Sequence, residues 1–569
     1  MTLFGWAEIA LTLALVFAAA FPVGRYLAAV LEGGRVFLSP VLAPAERITW
    51  RLCGIDPGRQ MGWKEYAFAL LTLNALHFLL LYAMLRLQFY LPFNPQHVAG
   101  MPPALAFNTA ASFVTNTNWQ AYAPESQISN GAQMFGLTVH MFLSAATGIA
   151  AAAAVMRAFA AGGLTSLGNF YVDAVRITLY VLLPITLVAT VLLVLSGVPQ
   201  TLAPFATVHT ISGASQTIAR GPVAFMEAIK DLGTNGGGFF NANSAHPFED
   251  PTALTAILET WLMLVIGFAL PISFGHIVKD PKQGRALFWA MAVLLVAGVA
   301  IAYAAEARGN PLLTHLGISP AMGNMEGKEV RFGVPLSVLF NVAATGTSCG
   351  AVAAATDSFM PLGGLVPLFL MQLGEVAPGG VGSGFYTIAV FALLAVFVAG
   401  LMVGRTPEYL GKKVQAHEIK LAMLALLVLT LVILGGASLS LVLPSGVAAL
   451  GNGGPHGLTE MLYAWTSAAE NNGSAMAGIN AATPLLLYGQ ALAMLLGRFA
   501  FLIPVLAIAG SLAAKPKLPP STGTFPTHGL LFVGLLVGVI IVLGGLQFMP
   551  ADALGPLAEH YVLRAGKTY

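Results

Sequence analysis

The sequence reads as an all-α integral membrane protein of about ten transmembrane helices. Of 569 residues, 57% are hydrophobic and only 9% charged, against roughly 25% charged in an ordinary soluble domain, so most of the surface must face something other than water. The apolar residues fall in runs of about twenty, the length a helix needs to cross a hydrocarbon core of about 30 Å, whereas a β-barrel would show short alternating segments. Four Gly, Asn and Thr-rich interruptions separate alternate pairs of these runs, and they give the chain its internal plan.

The runs lie near residues 2–30, 66–88, 134–158, 174–196, 254–278, 286–304, 383–403, 420–443, 485–512 and 529–546. The first has no basic leader and no convincing cleavage site, so it is expected to remain as a helix. Most of the 26 Lys and Arg residues lie in or beside the loops after odd-numbered runs. Positive residues are retained on the cytoplasmic side, so both termini are expected outside, in the periplasm of a Gram-negative cell. Arg25 and Arg86 sit near helix ends, where long side chains snorkel. The net charge of +2 and the lack of a basic block exclude a nucleic-acid partner. Cys53 and Cys349 stand far apart without ligand spacing, which argues against a zinc or haem site and against a disulfide framework.

The four longest outer loops each carry a short apolar stretch, too brief to span, followed by a polar turn. They are ALAFNTAASFVTNTNWQAY (104–122), FMEAIKDLGTNGGGFFNANSAHPFEDPT (225–252), LSVLFNVAATGTSCGAV (336–352) and LTEMLYAWTSAAENNGSAMAG (458–478). A full-length run flanks each on both sides, giving four helix, pore-loop, helix repeats in fourfold pseudosymmetry, with one extra helix at each end. The expected units are 1–62, 63–160, 161–280, 281–405, 406–515 and 516–569. The third repeat is irregular: PLGGLVPLFLMQLGEVAPGGVGSG (361–384) is interrupted by Gly and Pro and is expected to enter the membrane without a simple span.

Polar backbone inside a bilayer is tolerated only when buried in protein or facing water. A half-helix entering from outside aims its negative C-terminal end and free carbonyls at the centre, which favours a dehydrated monovalent cation. Glycine lets carbonyls point inward without a Cβ clash, and Gly236, Gly350 and Gly473 are placed to do so in repeats two to four. In repeat one Asn116 or Asn118 would substitute, since Asn also adopts left-handed conformations. Any one loop taken alone reads equally as a surface turn; four in alternate outer loops favour the pore reading.

The strings GTNGGGFFNANSAHPFEDPT, TNTNWQAY, GTSCGAV, AENNGSAMAG and GRTPEYLGKK resemble, in order and along essentially the whole chain, the KdpA family of the bacterial Kdp potassium-transporting ATPase. That family is similar in fold to potassium channels and Trk or Ktr transporters. The resemblance implies a potassium-binding subunit of the cell inner membrane that selects outside potassium and passes it through an intramembrane tunnel to a P-type ATPase subunit, KdpB, with KdpC and KdpF completing the complex. It implies a filter of Asn116, Thr117, Thr234, Asn235, Gly236, Ser348, Cys349, Gly350, Asn471, Asn472 and Gly473, coordinating by carbonyls, with Gln120 beside it. Trp119 and Gln120 could equally anchor at the membrane interface.

Arg405 opens GRTPEYLGKK, where a positive-inside anchor is the default; the resemblance suggests a barrier against leak below the filter. Glu375, an acidic residue at membrane depth in the irregular segment of repeat three, is a functional candidate by its position, paired with an arginine or facing water in a gate. For Arg498 a snorkelling position and an ion pair with a partner are both open. His77, His140 and His276 lack neighbouring ligands at metal spacing and read as hydrogen-bonded structural residues. Glu227, Asp231, Glu249, Asp250 and Glu470 are expected at the outer filter mouths, concentrating cations or capping half-helices. No phosphate loop, DKTGT-like string or HExxH motif occurs, so the chain is expected to be non-catalytic and without a cofactor, with K+ as its transported ion and membrane lipids around it. An autonomous channel or ion-coupled transporter of the same fold remains the alternative.

Overall fold

The computed structural model describes residues 1–519 and 524–567; residues 520–523 and 568–569, inside the last expected unit, lie outside the described residues. Among the described residues ten helices are long and apolar enough to cross a membrane: Leu3–Leu31, Trp63–Arg86, Ala132–Ala160, Phe170–Leu195, Ala253–Ile277, Pro281–His315, Ser383–Met402, Ala416–Val442, Pro484–Ala514 and Leu530–Arg564. Each overlaps one of the ten sequence runs, and the protein is a multi-pass membrane protein.

Local chemistry sets several helix starts. Asn169 and Asp280 accept from the amides two residues on, and Thr252 and Thr483 from those three residues on, satisfying donors that a helix leaves orphaned. Pro281 and Pro484 occupy the first helical position, where no amide hydrogen is needed.

Between the paired spans lie four shorter helices, Pro103–Val114, Val223–Leu232, Gly333–Gly346 and Gly454–Glu470. In each repeat the span after the half-helix is the inner one. Ala132–Ala160 is 89% buried against 28% for Trp63–Arg86, and Ser383–Met402 is 78% buried against 67% for its predecessor. The sequence explains the first contrast: the stretch from Ala145 to Ala154 is almost wholly small and fully buried, so neighbouring backbones approach closely. The extra N-terminal helix lies along Ala253–Ile277, where Gly24 leaves room for the Ala269 carbonyl and Ser273 Oγ donates to the Gly24 carbonyl at 2.8 Å.

One feature was not legible in the runs. Ser39–Cys53 forms a further helix in the loop after the first span, tied down by Arg176 to Glu46 at 2.9 Å. The irregular segment of repeat three forms a short helix, Pro361–Gln372, followed by a non-helical stretch, 373–382, that returns to the next span.

Candidate cation-binding site

The four half-helices end in turns built alike. Asn116, Thr234, Ser348 and Asn471 all have positive φ, at 70, 47, 57 and 62°. In each turn the next residue's amide folds back on its own half-helix: Thr117 to Ser112, Asn235 to Lys230, Cys349 to Ala344 and Asn472 to Ser467, at 3.0, 2.8, 2.9 and 2.8 Å. The spacing is five residues every time. Left-handed conformation costs a non-glycine residue about 1–2 kcal/mol, and four such residues at one position persist only where their surroundings over-determine them. The amides are thus consumed by the helices while carbonyls are left for other partners.

The following position was assigned to Gly236, Gly350 and Gly473, with Asn116 or Asn118 in repeat one. The structure selects Asn118, with φ 55°, beside Gly236 at 95° and Gly473 at 94°. Gly350 is required for a different reason: its φ is not left-handed, but a Cβ there would lie 2.8 Å from the carbonyl carbon of Gly473.

The turns close into a ring in chain order. Asn116 Nδ2 donates to the Thr234 carbonyl at 2.9 Å, Gly350 N to the Asn235 carbonyl at 3.3 Å, Ser348 Oγ to the Asn471 carbonyl at 3.1 Å, and Asn471 Nδ2 to Thr117 Oγ1 at 3.0 Å. The eleven predicted filter residues are therefore brought together. The side chains of Asn116, Ser348 and Asn471, together with the Gly350 amide, stitch turn to turn. The carbonyls of Thr234, Asn235 and Asn471 each accept one inter-turn bond and keep a second lone pair.

Outside the ring opens a cavity of about 740 Å³, lined by residues that follow all four turns, among them Gln120, Asn241, Val352 and Ala475. Gln120 spans the first two repeats: it accepts from Gly238 N at 3.1 Å and donates to the Gly238 carbonyl at 3.2 Å. Trp119 is buried at 2%, so this pair is not an interfacial anchor.

On the inner side, the stretch 373–382 crosses the ring's first residues. Glu375 Oε1 accepts from Asn472 Nδ2 at 2.8 Å, Val381 N donates to Thr234 Oγ1 at 3.1 Å, and Gly379 N donates to the Gly346 carbonyl at 2.7 Å. Glu375 makes no ion pair with an arginine among the described residues, contrary to one expectation. It borders a cavity of about 30 Å³ with Ser348, Glu470, Asn471 and Arg498.

The positive charge under the ring is Arg498, not Arg405. Arg405 is exposed at the end of Ser383–Met402, donating to the Thr524 carbonyl at 3.3 Å. Arg498 is 6% exposed on the widened turn Leu496–Ala500 and donates to the Ser144 carbonyl at 3.0 Å. It is therefore neither a snorkelling residue nor a surface partner contact. The family strings drew attention to Arg405, while Arg498 read only as a cation on an apolar run; the convergence of distant helices reveals which is central.

The carboxylates also depart from expectation. Glu227, Asp231 and Glu249 lie behind the second turn at 0–1% exposure, gathered around Lys230, rather than lining the mouth. Asp250 is buried against Thr255, and Glu470 borders the inner cavity. Of the histidines, His140 contacts the carbonyls of Gly136 and His77 at 2.7 and 3.1 Å, as a structural residue should, whereas His276 is exposed.

Residues 10–561 match the model of the KdpA family, the potassium-transporting ATPase A subunit. The chain is 58% identical over 565 residues to the potassium-transporting ATPase potassium-binding subunit of Allorhizobium ampelinum, covering 99% of both chains. It is 57% identical to the same-named protein of Beijerinckia indica, again covering 99% of both. Among solved structures, the potassium transporter TrkH from Vibrio parahaemolyticus superposes with a TM-score of 0.51 at 14% identity, covering 88% of this chain and 97% of that one. This last likeness concerns the fold.

Proposed function

The chain belongs to the family of potassium-transporting ATPase A subunits, and from that premise we propose that it is the non-catalytic, potassium-binding subunit of an ATP-driven uptake complex. It sits in the bacterial inner membrane with both termini outside. The partner that hydrolyses ATP is a P-type ATPase subunit of the KdpB kind, with KdpC and KdpF completing the assembly; the chain itself needs no cofactor.

Potassium enters the outer cavity, sheds water and is coordinated by carbonyls of the four turns. The observation that carries this reading is the closed ring of four left-handed turns at the ends of four half-helices. Half-helix C-termini bring partial negative charge to the ring, and carbonyls replace the hydration shell of a monovalent cation. The inter-turn bonds hold the ring at a fixed width, and Gln120 braces its outer edge.

Below the ring, Glu375 and the stretch 373–382 form the gate, and the Arg498 guanidinium repels a cation heading for the cytoplasm. The ion leaves sideways through an intramembrane tunnel to the ATPase subunit. Arg405 serves as a positive-inside anchor.

The test is potassium flux in sealed vesicles. Uptake that needs both ATP and the partner ATPase subunit supports the reading. Passive potassium flux through this chain alone overturns it in favour of an autonomous channel.

A further inference from the structure

Behind the second turn lies a set of carboxylates that the ring does not use. The sequence Glu-Ala-Ile-Lys-Asp puts Glu227 and Asp231 one helical turn apart on the same face of the half-helix Val223–Leu232. Glu259, on Ala253–Ile277, faces them. One oxygen from each of the three lies within 4.8 Å of the others. All three residues are buried, at 1%, 0% and 0% exposure. Both oxygens of Asp231, both of Glu259 and Oε2 of Glu227 have no hydrogen-bond partner among the described residues.

Lys230 does not resolve this. Its ammonium is held by Glu227 at 2.5 Å, Glu249 at 2.9 Å, Ser244 at 2.7 Å and Asn243 at 3.0 Å, so its charge is already shared by two carboxylates. One lysine thus faces Glu227, Asp231, Glu249 and Glu259 in a site closed to water. Isolated ionised carboxylates are not tolerated there; they are neutralised by protons or by a cation.

We propose that Glu227, Asp231 and Glu259 form a divalent cation site of the calcium class, separate from the ring. Donors that are all oxygen select a hard ion rather than zinc or copper. Three oxygens within 4.8 Å of one another surround a common point at a distance that small adjustments bring to calcium–oxygen bonds of about 2.3–2.6 Å, and both oxygens of Asp231 and of Glu259 with Oε2 of Glu227 supply up to five ligands. Magnesium fits poorly, because it keeps several waters and demands shorter bonds. The ion is structural. Asn243, which contacts Lys230, also donates to the Gly236 carbonyl at 2.7 Å, so the site stiffens the back of the second turn.

The experiment is metal analysis by mass spectrometry on the intact complex, purified without chelator at saturating potassium. The wild type is expected to hold one calcium per complex, Glu259→Gln to lose it at least tenfold, and Asp357→Asn, on the outer surface, to keep it. Should Glu259→Gln fail to assemble, the wild type alone decides: chelation lowers its melting temperature by several degrees, and calcium but not magnesium restores it. A wild type that holds no stoichiometric divalent ion, or whose melting ignores chelator and calcium, overturns the proposal and leaves the carboxylates neutralised by shared protons.

Discussion

The Asn471 side-chain amide reaches the Thr117 hydroxyl at 3.0 Å, joining the fourth turn to the first across 354 residues of sequence. With that bond the turns form a closed ring rather than an open row. A ring resists widening only as well as its weakest joint, so each joint is a place to test the account.

Asn116 makes the joint between the first and second turns, donating to the carbonyls of Gly233 and Thr234 while accepting from Ser144 Oγ at 2.7 Å and Asn235 Nδ2 at 2.8 Å. Asn116→Ala strands these buried partners, at about 1–3 kcal/mol. The half-saturating potassium concentration for ATP hydrolysis is expected to rise at least tenfold, while Asn116→Asp, which keeps the acceptor and loses the donor, falls between. An unchanged potassium dependence in both variants shows that this joint does not set the ring.

Gly473 is the tightest position. A Cβ there would lie 1.7 Å from the Thr117 carbonyl oxygen, in a backbone conformation with φ 94°. Gly473→Ala must therefore push the first and fourth turns apart, and potassium affinity measured by titration should fall by more than tenfold, or about 1.4 kcal/mol. Gly435→Ala, with open space around it, is the control and should leave affinity unchanged.

The two arginines separate by place. Arg498→Gln removes the buried charge under the ring and is expected to raise passive potassium leak in vesicles without ATP; Arg405→Gln, at an exposed position, should not. Equal leak from both variants, or leak from Arg405→Gln alone, returns the barrier to the cytoplasmic end.

His456 gives a pH test on the outer face. Its ring is clasped by Asp357 at 2.7 Å and Glu559 at 2.8 Å, joining repeats three and four to the extra C-terminal helix. Burial favours the neutral ring, but hydrogen bonds to the two carboxylates outweigh it and push the pKa up to about 10. The folded value lies above the ordinary value near about 6.5. The clasp's stability is therefore fully present below about pH 6.5 and is lost as pH rises through about 10. His456→Gln should lower the melting temperature by a few degrees at pH 7, and the gap to wild type should shrink towards pH 10. A gap that widens with pH contradicts the clasp.

The sequence made the spans and the four half-helices legible, because hydropathy and a repeated plan are local signals, whereas the full membership of the ring was implied by the family strings that the turns carry. It could not rank Asn118 above Asn116, since both tolerate left-handed backbone and the choice depends on alignment with Gly236 and Gly473 in three dimensions. It placed Glu227, Asp231 and Glu249 at the mouth because they flank the turn in sequence. The half-helix instead turns its charged face away from the centre, towards Lys230 and Ala253–Ile277. Arg498 was hidden for a similar reason: a cation within an apolar run reads as an end residue until Ser144, 354 positions away, is seen beneath the ring.

Potassium-dependent ATP hydrolysis by the whole complex, comparing the wild type with Gly236→Asp, bears most directly on whether the ring feeds the pump. A side chain at Gly236 would meet the backbone of Gly350 at 2.1 Å. The account predicts that wild-type hydrolysis saturates at low potassium while the variant, assembled to the same level, needs far more. Hydrolysis that ignores both potassium and the substitution would contradict it.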